Sequence, residues 1–83
     1  MKSRRNVHFY TIPTEDIPSR LANEYHQLLD QFELDGRTFL AVIVDDDIRT
    51  VFLLEKIASN TYESVSSEDF DNVVSVFCRR QYT

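Results

Sequence analysis

The stretch LDQFELDGRTFLAVIVDDD, residues Leu29 to Asp47, decides the fold. Two apolar runs flank Asp35-Gly36, and Asp-Gly between apolar runs is the strongest short-range signal for a β-hairpin. The reason is that a type I′ turn needs positive φ at both central residues. A two-residue loop places Phe32 opposite Phe39, and such an aromatic pair adds up to ~1 kcal/mol to the ladder. The sequence therefore predicts a hairpin whose turn is Asp35 and Gly36.

The chain beyond the turn predicts the rest of an antiparallel meander. Thr38 to Val44 is the second hairpin strand, and Asp45-Asp46-Asp47 ends it, because Asp is disfavoured in strands and favoured in turns. Arg49 to Ala58 is the next predicted strand. Ser59-Asn60 turns the chain, and Thr61 to Val65 makes a short last strand.

Before the hairpin, the chain begins with one predicted strand. Val7 to Ile12 is rich in β-branched and aromatic residues and stops at Pro13, which is typical of a strand. Residues 13–23 are mostly polar and contain both prolines, so they predict a loop.

Residues 19–32 allow two interpretations. Helical spacing is shared by Leu21, Tyr25, Leu28, Leu29 and Phe32. This periodicity favours a helix over 19–29, which would be a second helix at about 19–30. The alternative is a strand from Tyr25 to Leu34 that runs directly into the turn, and the hairpin requires strand from Phe32 onward.

The C-terminal segment predicts an amphipathic helix. Ser66-Ser67-Glu68-Asp69 is a capping sequence that puts acids in the first turn, where the helix dipole favours them. Apolar residues recur at helical spacing: Phe70, Val73, Val74, Phe77 and Cys78. The sequence therefore predicts an α+β fold, with an antiparallel β-meander of three to five strands and this helix packed on one face.

The two central strands are apolar on both faces. Strands exposed on one side alternate apolar and polar residues, but residues 38–44 and 50–58 do not. The C-terminal helix can cover only one face, so the other must be covered by residues 7–32 or by a second molecule, for instance in a homodimer. That face and the acidic loop beside it form the candidate interaction surface: Leu40, Val42, Val44, Phe52, Leu54, Asp45, Asp46 and Asp47.

Size and composition bound the class of protein. The 83 residues allow one α+β domain, residues 7–83, after a flexible basic N-terminus, residues 1–6. Cys78 is the only cysteine, which excludes an intrachain disulfide and fits a reducing compartment. MKSRR is not followed by the apolar segment of a signal peptide, and the longest apolar run is too short to cross a bilayer. We expect a cytoplasmic protein that does not bind membranes.

The charge is unevenly distributed. Residues 15–71 hold all 14 acids against four bases, which gives −10, while residues 1–5 contribute +3 and Arg79 and Arg80 contribute +2, for the net −5. Binding to duplex nucleic acid needs several Lys or Arg that converge on phosphates. The sequence therefore predicts no nucleic-acid partner.

The candidate reactive groups do not form a recognisable site. Asp45-Asp46-Asp47 could bind a hard cation, but the EF-hand spacing is missing and a solvated loop accounts for the run. Cys78 could pair with His8 or His26 as nucleophile and base, yet Cys78 lies on the apolar helix stripe. The single glycine is used in the hairpin turn, which leaves none for an oxyanion site. We expect no enzyme, no metal and no cofactor.

Residues 29–77 resemble a known family. LDQFELDGRTFLAVIVDDD, then TVFLLEKI, then YESVSSEDFDNVVSVF is similar to the DUF1292 (YrzB-like) family of short acidic bacterial proteins of unknown function. The resemblance implies a meander-plus-helix fold in a bacterial cytoplasm, and it implies no activity, cofactor or catalytic residue. The family usually continues N-terminally as one strand and an acidic turn containing Gly, whereas residues 13–28 contain no Gly and carry IPSRLA instead.

Two functions fit these observations. The first is a non-enzymatic interaction or accessory protein that binds a protein partner through the sheet face which the C-terminal helix leaves uncovered. The alternative is an acidic inhibitor or nucleic-acid mimic that binds a basic protein. In that alternative the negative surface is formed by Asp45 to Asp47, Glu55, Glu63 and Asp69 to Asp71.

Overall fold

Five strands and two α-helices make up the computed structural model, which describes residues 7–24 and 26–82. The predicted flexible N-terminus, residues 1–6, lies outside the described residues, as do Tyr25 and Thr83. The strands are β1 (His8–Thr11), β2 (His26–Leu34), β3 (Arg37–Val44), β4 (Thr50–Ala58) and β5 (Thr61–Ser64). A 3₁₀ turn (Thr14–Asp16) leads into α1 (Ile17–Asn23), and α2 (Ser67–Tyr82) follows the last strand.

The strands form one mixed sheet. β2, β3 and β4 pair antiparallel in sequence order, and β5 pairs antiparallel with the second half of β4. β1 pairs with the first half of β4 and runs parallel to it. The α+β fold is therefore confirmed, but the purely antiparallel arrangement is wrong for β1. The reason is that α1 connects β1 to β2 and returns the chain to the end of the sheet where β1 began, so β1 and β2 run in the same direction. β4 also runs in the direction of β2, because both are antiparallel to β3.

The hairpin has the predicted register. Asp35 and Gly36 have φ of 56° and 76°, the positive values that a type I′ turn requires at both positions. Phe32 lies opposite Phe39, and their ring centroids are 6.2 Å apart.

The ambiguous segment before the hairpin is divided between a helix and a strand. The helix α1 lies within the predicted loop 13–23 and ends at Asn23, and β2 begins at His26, so the helix predicted over 19–29 is wrong for its second half. A β-bulge between Leu28 and Asp30 explains the error, because it adds one residue to the strand. Leu29 therefore packs against the core under α2, on the same side of the sheet as Phe32. The three-residue spacing between these two apolar residues resembles that of a helix.

Both faces of the sheet are covered by the chain itself, as the non-alternating strands predict. The side that α2 covers, the α2 face, holds the larger cluster: Phe32, Phe39, Ala41, Ile43, Val51, Leu53, Val65, Val73 and Phe77. The side that α1 covers, the α1 face, holds Ile12, Ile17, Val42 and Leu54, with Leu21, Phe52 and Tyr62 at the margin. Of the two predicted covers for this face, residues 7–32 provide it.

Candidate interaction surface

Strands β2, β5 and β1 lie on the edges of the described sheet, and β2 carries two features that block another strand. The bulge at Leu28/Asp30 interrupts its regular pairing geometry. The Gln31 N–H donates to Asp30 Oδ1 at 2.9 Å, so this amide is already bonded. The bulge and this bond therefore hinder strand addition along the part of β2 around Asp30.

The Asp30 carboxylate that caps this edge is itself held by α2. Arg80 Nε donates to Asp30 Oδ2 at 2.6 Å and Nη2 donates to Oδ1 at 3.0 Å. The hydrogen bonds from Arg80 hold the pKa of Asp30 below its usual value. The pair fixes the carboxylate where it bonds the Gln31 amide and also ties the end of α2 to the sheet.

The edge formed by β5 is blocked by the turn that precedes α1. The Ser64 N–H donates to Thr14 Oγ1 at 3.0 Å, and the turn Thr14–Asp16 lies against β5. A backbone amide at the end of β5 is thus satisfied by a side chain from a distant part of the sequence.

Among the described residues, no side chain bonds the outer edge formed by β1. The His8 N–H donates to the Arg49 carbonyl oxygen at 2.8 Å, which sets the phase of the parallel ladder. In a parallel ladder, one residue directs its N–H and its C=O toward the neighbouring strand, and the next residue directs both groups away from that strand. His8 and Tyr10 therefore pair with β4, while the N–H and C=O of Phe9 and Thr11 point to the outer edge. The described residues supply no hydrogen-bond partner for these outward groups.

A cleft of about 380 Å³ opens beside this edge. β1 and β5 pair with the same side of β4, and their C-terminal ends meet there, opposite Leu53 and Leu54. After β1 the chain continues on the α1 face of the sheet, and after β5 it continues on the α2 face. The resulting gap has a mixed apolar and polar lining, which consists of Phe9, Tyr10, Thr11, Val65, Ser67, Phe70 and Asp71. Tyr10 remains 48% exposed, although its ring centroid lies 6.0 Å from that of Phe52.

A charged network fixes the helix that forms the far wall of the cleft. Arg37 Nη2 donates to Glu55 Oε1 at 2.8 Å and to Asp69 Oδ2 at 2.9 Å, so strands β3 and β4 are joined to the first turn of α2. Ser66 Oγ accepts the Asp69 N–H at 3.3 Å, as expected of the predicted cap. The hydrogen bond from Arg37 lowers the pKa of Asp69, and the bond to Glu55 raises the pKa of Arg37.

The predicted sheet-face surface lies mostly beneath α1. Leu40, Val42 and Leu54 are buried, whereas Val44 and Phe52 are half-buried. The guanidinium carbon of Arg20, on α1, lies 5.1 Å from the centroid of the Phe52 ring. An intermolecular role for this face stays a prediction, and such a role needs α1 to move.

The predicted acidic loop is exposed, as part of the connection between β3 and β4. Asp45 and Asp46 adopt positive φ values of 55° and 62°, and Asp47 Oδ1 accepts the Arg49 N–H at 3.1 Å. These are turn-forming roles. Within residues 7–24 and 26–82, no group of three or more His, Cys, Asp or Glu side chains is arranged to hold a metal ion.

The acids of the alternative function lie at two ends of the molecule. The carboxylates of Glu55 and Asp69 bond to Arg37, at the start of β3, while Asp45 follows the last residue of that strand. A strand of this length spans roughly 25 Å. The structure thus separates the acidic loop from the acids near α2 and pairs two of the latter with Arg37.

The candidate nucleophile and bases occupy different elements. Cys78 is half-buried on α2, and His8 is exposed on β1. His26 opens β2, where its Nδ1 lies 2.9 Å from the backbone oxygen of Glu24.

Phe9, Tyr10 and Thr11 were not singled out from the sequence. The available signal was Tyr10 in the predicted strand Val7 to Ile12. An aromatic residue there indicates an interaction surface only once the strand is known to lie at the edge of the sheet.

Comparisons with known proteins add no further constraint. No family model matches the chain. No curated protein matches it, and neither does any solved structure. The resemblance of residues 29–77 to the DUF1292 family therefore stays a prediction. In the described part of the chain, neither helix has the length and apolar character needed to cross a membrane.

Proposed function

We propose that this protein is a non-enzymatic interaction module whose sheet accepts an extended strand from another protein chain at β1. One observation carries the proposal. An outward amide of β2 bonds Asp30 and one of β5 bonds Thr14, whereas the outward groups of β1 have no hydrogen-bond partner among the described residues. Proteins commonly protect the sheet edges that must not pair, so an unprotected edge marks a place for pairing.

The chemistry of the edge suits strand addition. The N–H and C=O groups of Phe9 and Thr11 offer two donors and two acceptors, which contribute a net 0.5–1.5 kcal/mol per bond, roughly, when paired. Every second side chain of an added strand faces the cleft beside β1. The cleft walls of Phe9, Val65 and Phe70 suit an apolar side chain. A mixture of apolar and polar groups is the usual composition of a protein interface.

The proposal extends to the setting in which the module works. We place it in a bacterial cytoplasm, which the single cysteine and the resemblance to the DUF1292 family support. Membership of that family is part of the same proposal. The partner is a protein and not a nucleic acid, because the body of the chain is strongly acidic.

Selection of binding peptides tests the proposal without a known partner. Short random peptides displayed on phage are selected on the immobilised protein, and their affinities are measured for the wild type and for Thr11→Pro. Proline removes the outward N–H of Thr11 and leaves the bonds between β1 and β4 intact, so we expect about tenfold weaker binding.

Leu28→Glu provides the matched control, because Leu28 is 52% exposed on the blocked edge formed by β2. Peptide affinity should not change in this variant. Amide NMR spectra of the wild type should show the largest shifts at Phe9 and Thr11. Peptides that bind Thr11→Pro as tightly as the wild type would contradict strand addition at β1.

A further inference from the structure

We infer that the strand which β1 accepts is β1 of a second copy of this chain, paired antiparallel about a two-fold axis at Tyr10. This inference rests on the proposed function, because it names the occupant of the same edge. Three properties support a second copy: the hydrogen-bond pattern of the described edge, the exposed ring of Tyr10, and the opposite charges of residues 1–5 and the body of the chain.

The backbone groups of the edge are self-complementary. In an antiparallel pair, the N–H and C=O of one residue bond the C=O and N–H of the residue opposite. With Tyr10 on the two-fold axis, Phe9 lies opposite Thr11 of the second copy, and Thr11 lies opposite Phe9 of that copy. Every outward N–H then meets an outward C=O, which yields four hydrogen bonds. A closed two-fold interface of this kind uses the same patch on both copies.

The same register brings the two Tyr10 side chains together. They occupy a pair without hydrogen bonds, in which opposite side chains approach most closely. Tyr10 is 48% exposed in the single chain, and its ring already lies beside Phe52. Pairing across the axis covers the exposed part of each ring, and aromatic pairs directly opposite stabilise antiparallel strands.

Charge favours association of two copies. Lys2, Arg4 and Arg5 precede β1 in the sequence. Beyond the C-terminal end of β1, β5 continues the pairing along β4. This side of the molecule carries exposed acids at Glu15, Asp16 and Glu63. Residues 1–5 and this acidic side carry opposite charges, and their attraction favours association of two copies.

Sedimentation equilibrium of the full chain, at concentrations up to about 1 mM, tests the inference. We expect a monomer–dimer equilibrium whose dissociation constant rises at least tenfold, roughly, in Thr11→Pro, because that change removes two of the four hydrogen bonds. Tyr10→Glu provides a second variant, since it places two like charges directly opposite each other and should abolish the dimer. The matched control is Leu28→Glu, which makes a similar change on the blocked edge and should leave the dimer intact.

The outcomes separate this inference from the proposed function. A chain that stays monomeric throughout, or a dimer that both Thr11→Pro and Tyr10→Glu leave unchanged, overturns the second copy as occupant. If selected peptides still bind at β1 in that case, the edge accepts a foreign strand and the proposed function stands. If the peptides are also insensitive to Thr11→Pro, both are rejected.

Discussion

Proline substitution at adjacent residues of β1 tests the ladder phase on which the open edge depends. Tyr10 directs its N–H toward β4, and in the parallel register its acceptor is the carbonyl of Val51. Val51 is fully buried, so that carbonyl has no access to water once the donor is gone. Thr11 directs its N–H outward, where proline removes no bond within the chain.

The expected magnitudes differ clearly. A buried carbonyl left without its partner costs about 1–3 kcal/mol, so Tyr10→Pro should be less stable than Tyr10→Ala by that amount. Thr11→Pro should fall within about 0.5 kcal/mol of Thr11→Ala, because proline is tolerated on an edge strand where its missing N–H would face solvent. The alanine variants cancel the loss of each side chain.

Equilibrium unfolding in urea, at a protein concentration low enough to keep the chain monomeric, measures the four free energies of unfolding. Equal losses for the two proline variants would refute the phase assigned to β1. A larger loss for Thr11→Pro would mean that Phe9 and Thr11 face β4 and that the outer edge presents His8 and Tyr10 instead.

Three further predictions concern the rest of the fold. Phe77→Ala should lower the free energy of unfolding by about 3–5 kcal/mol, because Phe77 is 1% exposed and meets the Phe9 ring edge-on at 5.9 Å; calorimetry or urea unfolding measures the loss. Gly36→Ala should cost about 1–2 kcal/mol through backbone strain alone, since φ is +76° and no atom lies within 4 Å of an added Cβ; a loss above this range in urea would reveal an unseen contact. Because the pKa of Asp30 is lowered, its pair with Arg80 stabilises the fold at pH above the ordinary carboxyl pKa of 3.8, and this contribution is lost as pH falls through the lowered pKa. Arg80→Gln should therefore lose less stability on acidification than the wild type, measured as thermal midpoints over a pH series. An unchanged series would show that the pair contributes nothing to stability.

The sequence predicts those elements whose determining residues lie close together along the chain. The hairpin at Asp35-Gly36 and the capped helix α2 depend on residues within a few positions of one another, and both are present. The spacing of residues 19–29 predicts a helix where β2 begins, because one bulge residue, Leu29, gives a strand the spacing of a helix. The orientation of β1 could not be foreseen, since it depends on the crossover through α1.

The candidate surface was the least predictable part. Its definition rests on contacts between residues about fifty positions apart, such as the bond from Ser64 to Thr14 and the bond from Arg80 to Asp30. No pattern in a short window indicates that these two edges are blocked. The two-sided apolar strands correctly predicted a cover for the second face. That cover comes from α1, and among the described residues the outward backbone groups of β1 are left without hydrogen-bond partners.

The parallel pairing of β1 also sets the order in which the chain assembles during synthesis. His8 pairs with Thr50, 42 positions later in the sequence (50 − 8). Translation at typical rates needs roughly 2–8 s to add that many residues, whereas a hairpin such as β2–β3 closes within microseconds of its appearance. β1 therefore leaves the ribosome seconds before β4, the strand with which it pairs, and both of its edges stand unpaired during that interval beside neighbouring nascent chains of the same sequence.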